Sequence, residues 1–439
     1  MKSFKDRWRR EVFATTPKLP TYTVAFAVLP NVFLEILGRS HTGITLRLRY
    51  NPYRIDTKLA EELMDFSGYA LNYMDSKFVT RLPLRKLDFL VVPQFAVQGM
   101  ENFGLITLNQ DYLLRTAPAY RLSLIAHEIA HLWFSNLVTV KSWRDTCFQE
   151  AVTDHLARRV VRQYFKNMGD WKLYLQEKYL LSINQESRTV PPRTLRLSVD
   201  PPLRDVSQRC FGKAVFLLDG LAELTGDEAF FGSLNRFLRD FDRMTYTLED
   251  VARYFQPHIV DGYFRASDYL LRWFASSGFP SLFVYRNYGT DAVELRQRSL
   301  YPRSGGSYGQ GRDLWPLPLS LLTKNGPRPV GSKIMTSERR NLYGVRVPES
   351  DWILLNANFS HFYRVNYDLH NWQLLANQLR ADPTLIGPLT RVQLITDFCF
   401  FRRLGFLNGG ETVRKTLQEA IFARLDLFAK WRNYFDACN

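Results

Sequence analysis

Residues 120–137 read YRLSLIAHEIAHLWFSNL, and within them Leu122, Ile125, Ile129 and Trp133 recur at spacings of three and four. That period predicts a helix from Tyr120 to Leu137 with one buried face. The same helix carries His127-Glu128-Ile129-Ala130-His131, an HExxH pattern. At i and i+4 the two imidazoles leave the helix on one side, where they can share a metal ion. Glu128 sits about 100° round the helix from His127, placed to take a proton from water that the metal acidifies toward a pKa of about 7. With 7 histidines in 439 residues, chance produces this pattern in roughly one chain in a hundred.

A catalytic zinc site takes three protein ligands and leaves a fourth position open. Glu150 follows His131 after eighteen intervening residues and begins a second predicted helix, Glu150 to Val161. His127, His131 and Glu150 are therefore the candidate ligands for one Zn2+ ion, and Glu128 is the candidate general base.

Working outward, Thr21 to Leu29 and Gly43 to Tyr50 are β-rich runs that read as strands with one wet face. From Leu59, the residues Leu63, Phe66, Ala70 and Tyr73 continue a helical period, with Asp56 or Thr57 as the N-cap. Leu87 to Val92 reads as a buried strand ended by Pro93, and Gly104 to Leu108 as a shorter one. Helical stretches fill residues 166 to 275, so strands followed by helices predict an α+β domain. Beyond it, Leu282 to Tyr285, Leu342 to Val347 and Trp352 to Phe359 read as strands of a small β domain. Between the first two lies the Gly- and Pro-rich segment Ser304 to Lys333, read as loops between strands. Trp372 to Arg380, Arg391 to Arg403 and Val413 to Trp431 are helical, as in the start of a helical array.

Composition excludes several classes. A chain that is 46% hydrophobic and 14% aromatic is globular, and 439 residues suit two to four domains. The net charge of +15 comes from scattered pairs such as Arg158-Arg159 and Arg402-Arg403, with no nucleic-acid motif around them, so no nucleic-acid partner is expected. The longest apolar run, Val24 to Leu29, falls far short of the ~18 residues a membrane span needs, and MKSFKDRWRREVF lacks the apolar core of a signal peptide. A soluble chain without its own anchor is expected. Cys147, Cys210, Cys399 and Cys438 are widely spaced and indicate neither a disulfide framework nor a thiolate zinc finger.

The stretch HEIAHLWFSNLVTVKSW, residues 127–143, resembles the HExxHxWFGNLVTxxxW of the aminopeptidase N-type gluzincins, thermolysin-like zinc peptidases, with Ser135 in place of Gly. Upstream, Gly99-Met100-Glu101-Asn102-Phe103-Gly104-Leu105-Ile106 is similar to that family's GxMENWGLI, with Gln98 in place of its first Gly. Weaker likeness runs from Thr16-Pro17-Lys18 through Trp315-Pro316-Leu317-Pro318 and Phe362 to Asp368 into the final helices. The resemblance implies a zinc metalloaminopeptidase acting on peptides with a free N-terminus. Glu101 would bind the α-amino group, Gly99 would allow close backbone approach to the substrate site, and Met100 and Asn102 would line or support the pocket. It further implies an α+β multidomain chain: a remnant of an N-terminal β domain (1–55), a thermolysin-like zinc domain (56–280), a small β-sandwich domain (281–368) and the beginning of a helical domain (369–439). Family members occur both as membrane-anchored ectoenzymes and in the cytoplasm.

Two departures bear on activity. The family places a transition-state tyrosine where Ser207-Gln208-Arg209-Cys210-Phe211-Gly212-Lys213 puts Cys210, and no tyrosine lies between Tyr179 and Tyr246. A thiol is a weak donor, and losing one oxyanion donor costs about a hundredfold to a thousandfold in turnover. Gln149-Glu150-Ala151-Val152 stands where the family has Asn-Glu-Gly-Phe. Metal binding is expected to survive these changes better than catalysis, so the alternative expectation is a catalytically impaired zinc- and peptide-binding pseudoenzyme.

Overall fold

A computed structural model describes residues 12–166, 170–187, 194–201, 206, 209–290, 292–302, 308–311, 313–407 and 410–422. The first sheet contains β1 (Leu34–Arg39), β2 (Thr45–Tyr50), β3 (Lys86–Val92), β4 (Gly99–Met100) and β5 (Leu105–Asn109), in the spatial order β1-β2-β3-β5-β4. β3 runs parallel to both β2 and β5, whereas the outer strands β1 and β4 are antiparallel to their neighbours. Leu87 to Val91 are buried without interruption, as a central parallel strand covered on both faces requires.

Helix α1 (Thr57–Lys77) starts at Asp56, whose carboxylate accepts from Leu59 N at 2.7 Å, and buries Ala60, Leu63, Phe66, Ala70 and Met74 along one stripe. After the short α2 (Gln110–Arg115) comes α3 (Pro118–Ala130), opened by a proline at its first position and packed between α1 and α4 (Thr146–Tyr164). The motif helix is shorter than its periodicity predicts. It ends at Ala130, and Leu132, Trp133 and Phe134 are buried in the turns that follow. Trp133 continues the apolar face from there, its indole N–H donating to the Thr80 carbonyl at 2.9 Å.

α5 (Asp170–Glu186) and α6 (Lys213–Thr225) pack on α4. A second sheet follows, in which Phe279–Asn287 pairs antiparallel with Ala292–Pro302 and parallel with Arg364–Tyr367. Three helices come next, Leu369–Ala381, Pro388–Arg403 and Glu411–Phe422. A buried ion pair, Arg364 to Asp397 at 2.8 Å, ties that sheet to the second of them. The molecule is thus a mixed α/β chain with several small sheets and many helices, in keeping with the α+β class expected from the sequence.

Three further expectations are corrected. Thr21 to Leu29 forms a single 3-10 turn at Thr21–Thr23 and no strand, because Val24, Phe26 and Val28 are 68%, 88% and 89% exposed and no described strand pairs with them. Leu342 to Val347 is strand only at its first residue, which closes Arg339–Leu342. Cysteine spacing misled most: Cys147 and Cys210, 63 residues apart, form a disulfide with their Cα atoms 4.4 Å apart, and Cys399 is disulfide-bonded as well. Packing of α4 on α6 brings the first pair together, a tertiary event that spacing does not encode. Ser207, Gln208, Ser304 to Gly306, Cys438 and the end of the last predicted helix lie outside the described residues.

Candidate active site

His127 sits in the last turn of α3, and His131 caps the helix with its backbone still in the right-handed helical region (φ −60°, ψ −22°). The i, i+4 relation therefore survives the helix end, and the two Nε2 atoms lie 2.9 Å apart with the rings perpendicular at 89°. His131 Nδ1 donates to the Phe134 carbonyl at 3.0 Å, which directs the Nε2 lone pair into the site. His127 Nδ1 is buried with no hydrogen-bond partner among the described residues.

Glu150 enters from the second turn of α4, its Oε2 3.4 Å from His127 Nε2 and 3.5 Å from His131 Nε2. Ligands of a tetrahedral ion with bonds of about 2.0–2.2 Å lie roughly 3.3–3.5 Å apart. Both carboxylate distances meet that requirement, and a small rotation of either imidazole opens the third. Two neutral-capable imidazoles and a carboxylate are the donor set a zinc ion takes, and these three residues are a group able to hold a metal.

Glu128, on the same helix, is buried against strand β4. A Cβ built on Gly99 would lie 2.3 Å from Glu128 Oε1, so only glycine lets that strand run so close to the carboxylate. Burial pushes the Glu128 carboxyl well above its ordinary range; the positive charge of His131 opposes this, while Glu101 and Glu150 reinforce it. For His131, burial disfavours the charged ring, yet the carboxylates of Glu101 and Glu150 win and raise its pKa to about 10. Glu150 is held far below the usual carboxylate range: burial pushes it up, and His131 and His127 overcome that.

Glu101 follows β4 and is buried. Ser135 Oγ donates to its Oε1 at 2.7 Å, Asn136 Nδ2 donates to its backbone carbonyl at 3.0 Å, and His131 Nδ1 stands 3.9 Å from Oε1. Gly99, Met100 and Glu101 line a cavity of about 850 Å³ together with His127, Glu128, His131 and Glu150. Asn102 sits behind that wall, where its Oδ1 accepts from Thr107 Oγ1 at 3.3 Å and its carbonyl closes a turn to Leu105 N at 2.9 Å.

Around these residues the cavity has neighbours that the sequence did not announce. Cys210 joins Cys147 at the head of α4, and the neighbouring Phe211 ring lies 5.5 Å from the His127 ring. Three tyrosines, Tyr22, Tyr112 and Tyr120, also line the cavity. Tyr22 stands 105 positions before His127, too far in sequence for any local pattern to place it there.

Comparison with known proteins falls on these residues. Residues 63–262 match the peptidase family M1 domain, which spans the ligand helices and Glu101. The chain is 26% identical over 415 residues to aminopeptidase Q of Acinonyx jubatus, covering 89% of this chain and 40% of that protein. It is 27% identical over 415 residues to aminopeptidase N of Rattus norvegicus (89% and 42%), and 25% identical over 409 residues to human aminopeptidase N (89% and 42%). The chain therefore spans about two fifths of the length of these relatives. Peptidases of family M1 are zinc-dependent, and the residues able to hold such an ion here lie inside the matched segment. By these matches, and by the two motifs they contain, residues 63–262 are similar to the peptidase family M1 domain of the aminopeptidase N-type gluzincins.

Proposed function

We propose that this protein is a zinc metalloaminopeptidase, a hydrolase that removes the N-terminal residue of peptides. The observation that carries this reading is the convergence of His127, His131, Glu150, Glu128 and Glu101 on one cavity. His127, His131 and Glu150 would hold the ion, which when bound supplies Lewis-acid polarisation of the scissile carbonyl and a more acidic water. Glu128 takes the proton of the attacking water and returns it to the departing amine. Glu101 pairs with the substrate's α-ammonium, so one residue fits between that anchor and the cleaved bond. Gly99 and Met100 form the wall beside the general base, and Asn102 holds the turn that presents Glu101. Residues 56–280 are assigned to the zinc peptidase domain, whose first sheet also takes in β1 and β2 from residues 1–55, 281–368 to a small β-sandwich domain and 369–439 to helices of a further domain. The buried Cys147–Cys210 disulfide and the disulfide at Cys399 favour folding in an oxidising compartment.

A second reading is favoured by one observation: Cys210, bound to Cys147, offers no hydroxyl at the place where the family's tyrosine stands. In that reading the chain binds zinc and peptide N-termini with little or no turnover. Chelation followed by zinc restoration, assayed on aminoacyl fluorogenic substrates with free and acetylated N-termini, separates the cases. The aminopeptidase reading expects activity on free N-termini that zinc restores. Activity insensitive to the chelator contradicts it, and stoichiometric zinc without hydrolysis selects the second reading.

A further inference from the structure

Ser135 and Gln149 stand where the family pattern has Gly and Asn, and both meet the hydroxyl of Tyr22. That hydroxyl lies 2.5 Å from Ser135 Oγ, and Ser135 Oγ donates to Glu101 Oε1 at 2.7 Å. A hydroxyl has one proton to give, so Ser135, donating to the carboxylate, accepts from Tyr22. Burial and the Glu101 charge keep the phenol protonated, and the Gln149 side chain hydrogen-bonds to the same oxygen. The segment around Tyr22 is itself held in place: Phe103 N donates to the Thr23 carbonyl at 2.9 Å, and the Tyr22 ring meets Trp143 edge-on at 5.2 Å. Ser135 is fully buried, whereas Tyr22 lines the cavity.

We infer that Tyr22 and Ser135 are positioning residues for Glu101 and set how strongly the chain prefers a free N-terminus. This rests on Glu101 being the amine anchor. Ser135 occupies Oε1 from the protein side, and Asn136 fixes the Glu101 backbone through its carbonyl. The carboxylate then holds one orientation before any ligand arrives, with its remaining lone pairs toward the cavity, so less freedom is lost when an ammonium binds. A peptide whose amine is acetylated has no such donor and gains nothing from the relay.

The test is calorimetric titration of the full zinc-loaded chain, carrying Glu128→Gln to stop turnover, with trialanine and with N-acetyl-trialanine. The parent should bind trialanine at least about tenfold more tightly than the acetylated peptide. Tyr22→Phe keeps the ring and removes the hydroxyl; Ser135→Gly removes the bridging hydroxyl without adding bulk. Each should weaken trialanine by about threefold to tenfold and leave N-acetyl-trialanine unchanged. Unchanged trialanine affinity in both variants overturns the inference, and so does an equal loss for both peptides, which is what a merely structural defect produces. Glu101→Gln tests the underlying reading separately: if the preference for trialanine survives that change, the amine anchor itself fails. If the preference is lost there while Tyr22→Phe and Ser135→Gly are silent, the relay alone is removed.

Discussion

One wall of the cavity is built by α3 and the head of α4, the other by the segment around Cys210, and the two relate differently to the sequence. On the first, His127, His131 and Glu150 meet through helix spacing and the connection 131–145 between two packed helices, and their donor atoms stand 2.9 to 3.5 Å apart. On the second, a disulfide and a phenylalanine stand where a phenol belongs by family resemblance. A metal site made from two adjacent helices can keep its geometry while the wall that finishes the chemistry is rebuilt. The molecule is thus expected to bind metal as a complete enzyme does and to turn over as an incomplete one.

The strongest way to break the comparison is to attack the first wall. Glu150→Ala should abolish stoichiometric zinc and any hydrolysis with it, a loss of at least about a thousandfold, read by metal analysis and turnover together. Retained zinc would mean that the three donors do not form the site. Next in size is Gly99→Ala, whose Cβ would run into the Glu128 carboxylate. Displacing a general base costs about a hundredfold or more, so turnover should fall while zinc content stays at one ion per chain. Parallel loss of zinc would show instead that the whole helix had moved.

The second wall is tested by rebuilding it. Because Cys210 is bonded to Cys147, restoring the phenol requires Cys147→Ala together with Cys210→Tyr. If only the missing hydroxyl limits turnover, this pair should raise kcat by about a hundredfold. Cys147→Ala with Cys210→Ala should instead lower stability by about 2–4 kcal/mol, seen in denaturant unfolding, and leave the metal bound. Zinc loss in that double variant would make the disulfide part of the metal site and dissolve the contrast between the walls.

The smallest effect concerns protons. The His131 pKa is raised to about 10 in the metal-free chain. A raised pKa means that this proton stabilises the metal-free fold fully below the unfolded value of about 6.5, and that the contribution is lost as pH rises through the folded value. A metal must displace the same proton, so zinc affinity, measured by competition with a chelator of known affinity, should tighten by up to about tenfold per pH unit from pH 6.5 upward. Affinity independent of pH there would contradict the proton's occupancy.

How much of this was legible beforehand follows from the range of each interaction. The ligands and the base are read from spacing because a helix fixes residues four apart, and Glu150 lies near the start of the next helix, which begins at Thr146, four residues before the start its sequence predicts. Gly99 was expected to permit a close backbone approach; the structure shows that what approaches is Glu128. The end of α3 at Ala130 was hidden because Trp133 keeps the apolar period while lying in a turn. Strand β1, Leu34–Arg39, was missed since most of its side chains face solvent and give no alternating signal. The disulfide and the placement of Tyr22 depend on contacts 63 and 113 residues apart in sequence, and no local pattern carries them.

The most direct measurement of the central claim pairs zinc content with hydrolysis of aminoacyl fluorogenic substrates, comparing the unaltered chain with Glu128→Gln. One zinc per chain in both proteins, with hydrolysis of free N-termini that disappears in the variant, is the predicted result. Hydrolysis that persists in Glu128→Gln, or a chain that takes up no zinc, would contradict it.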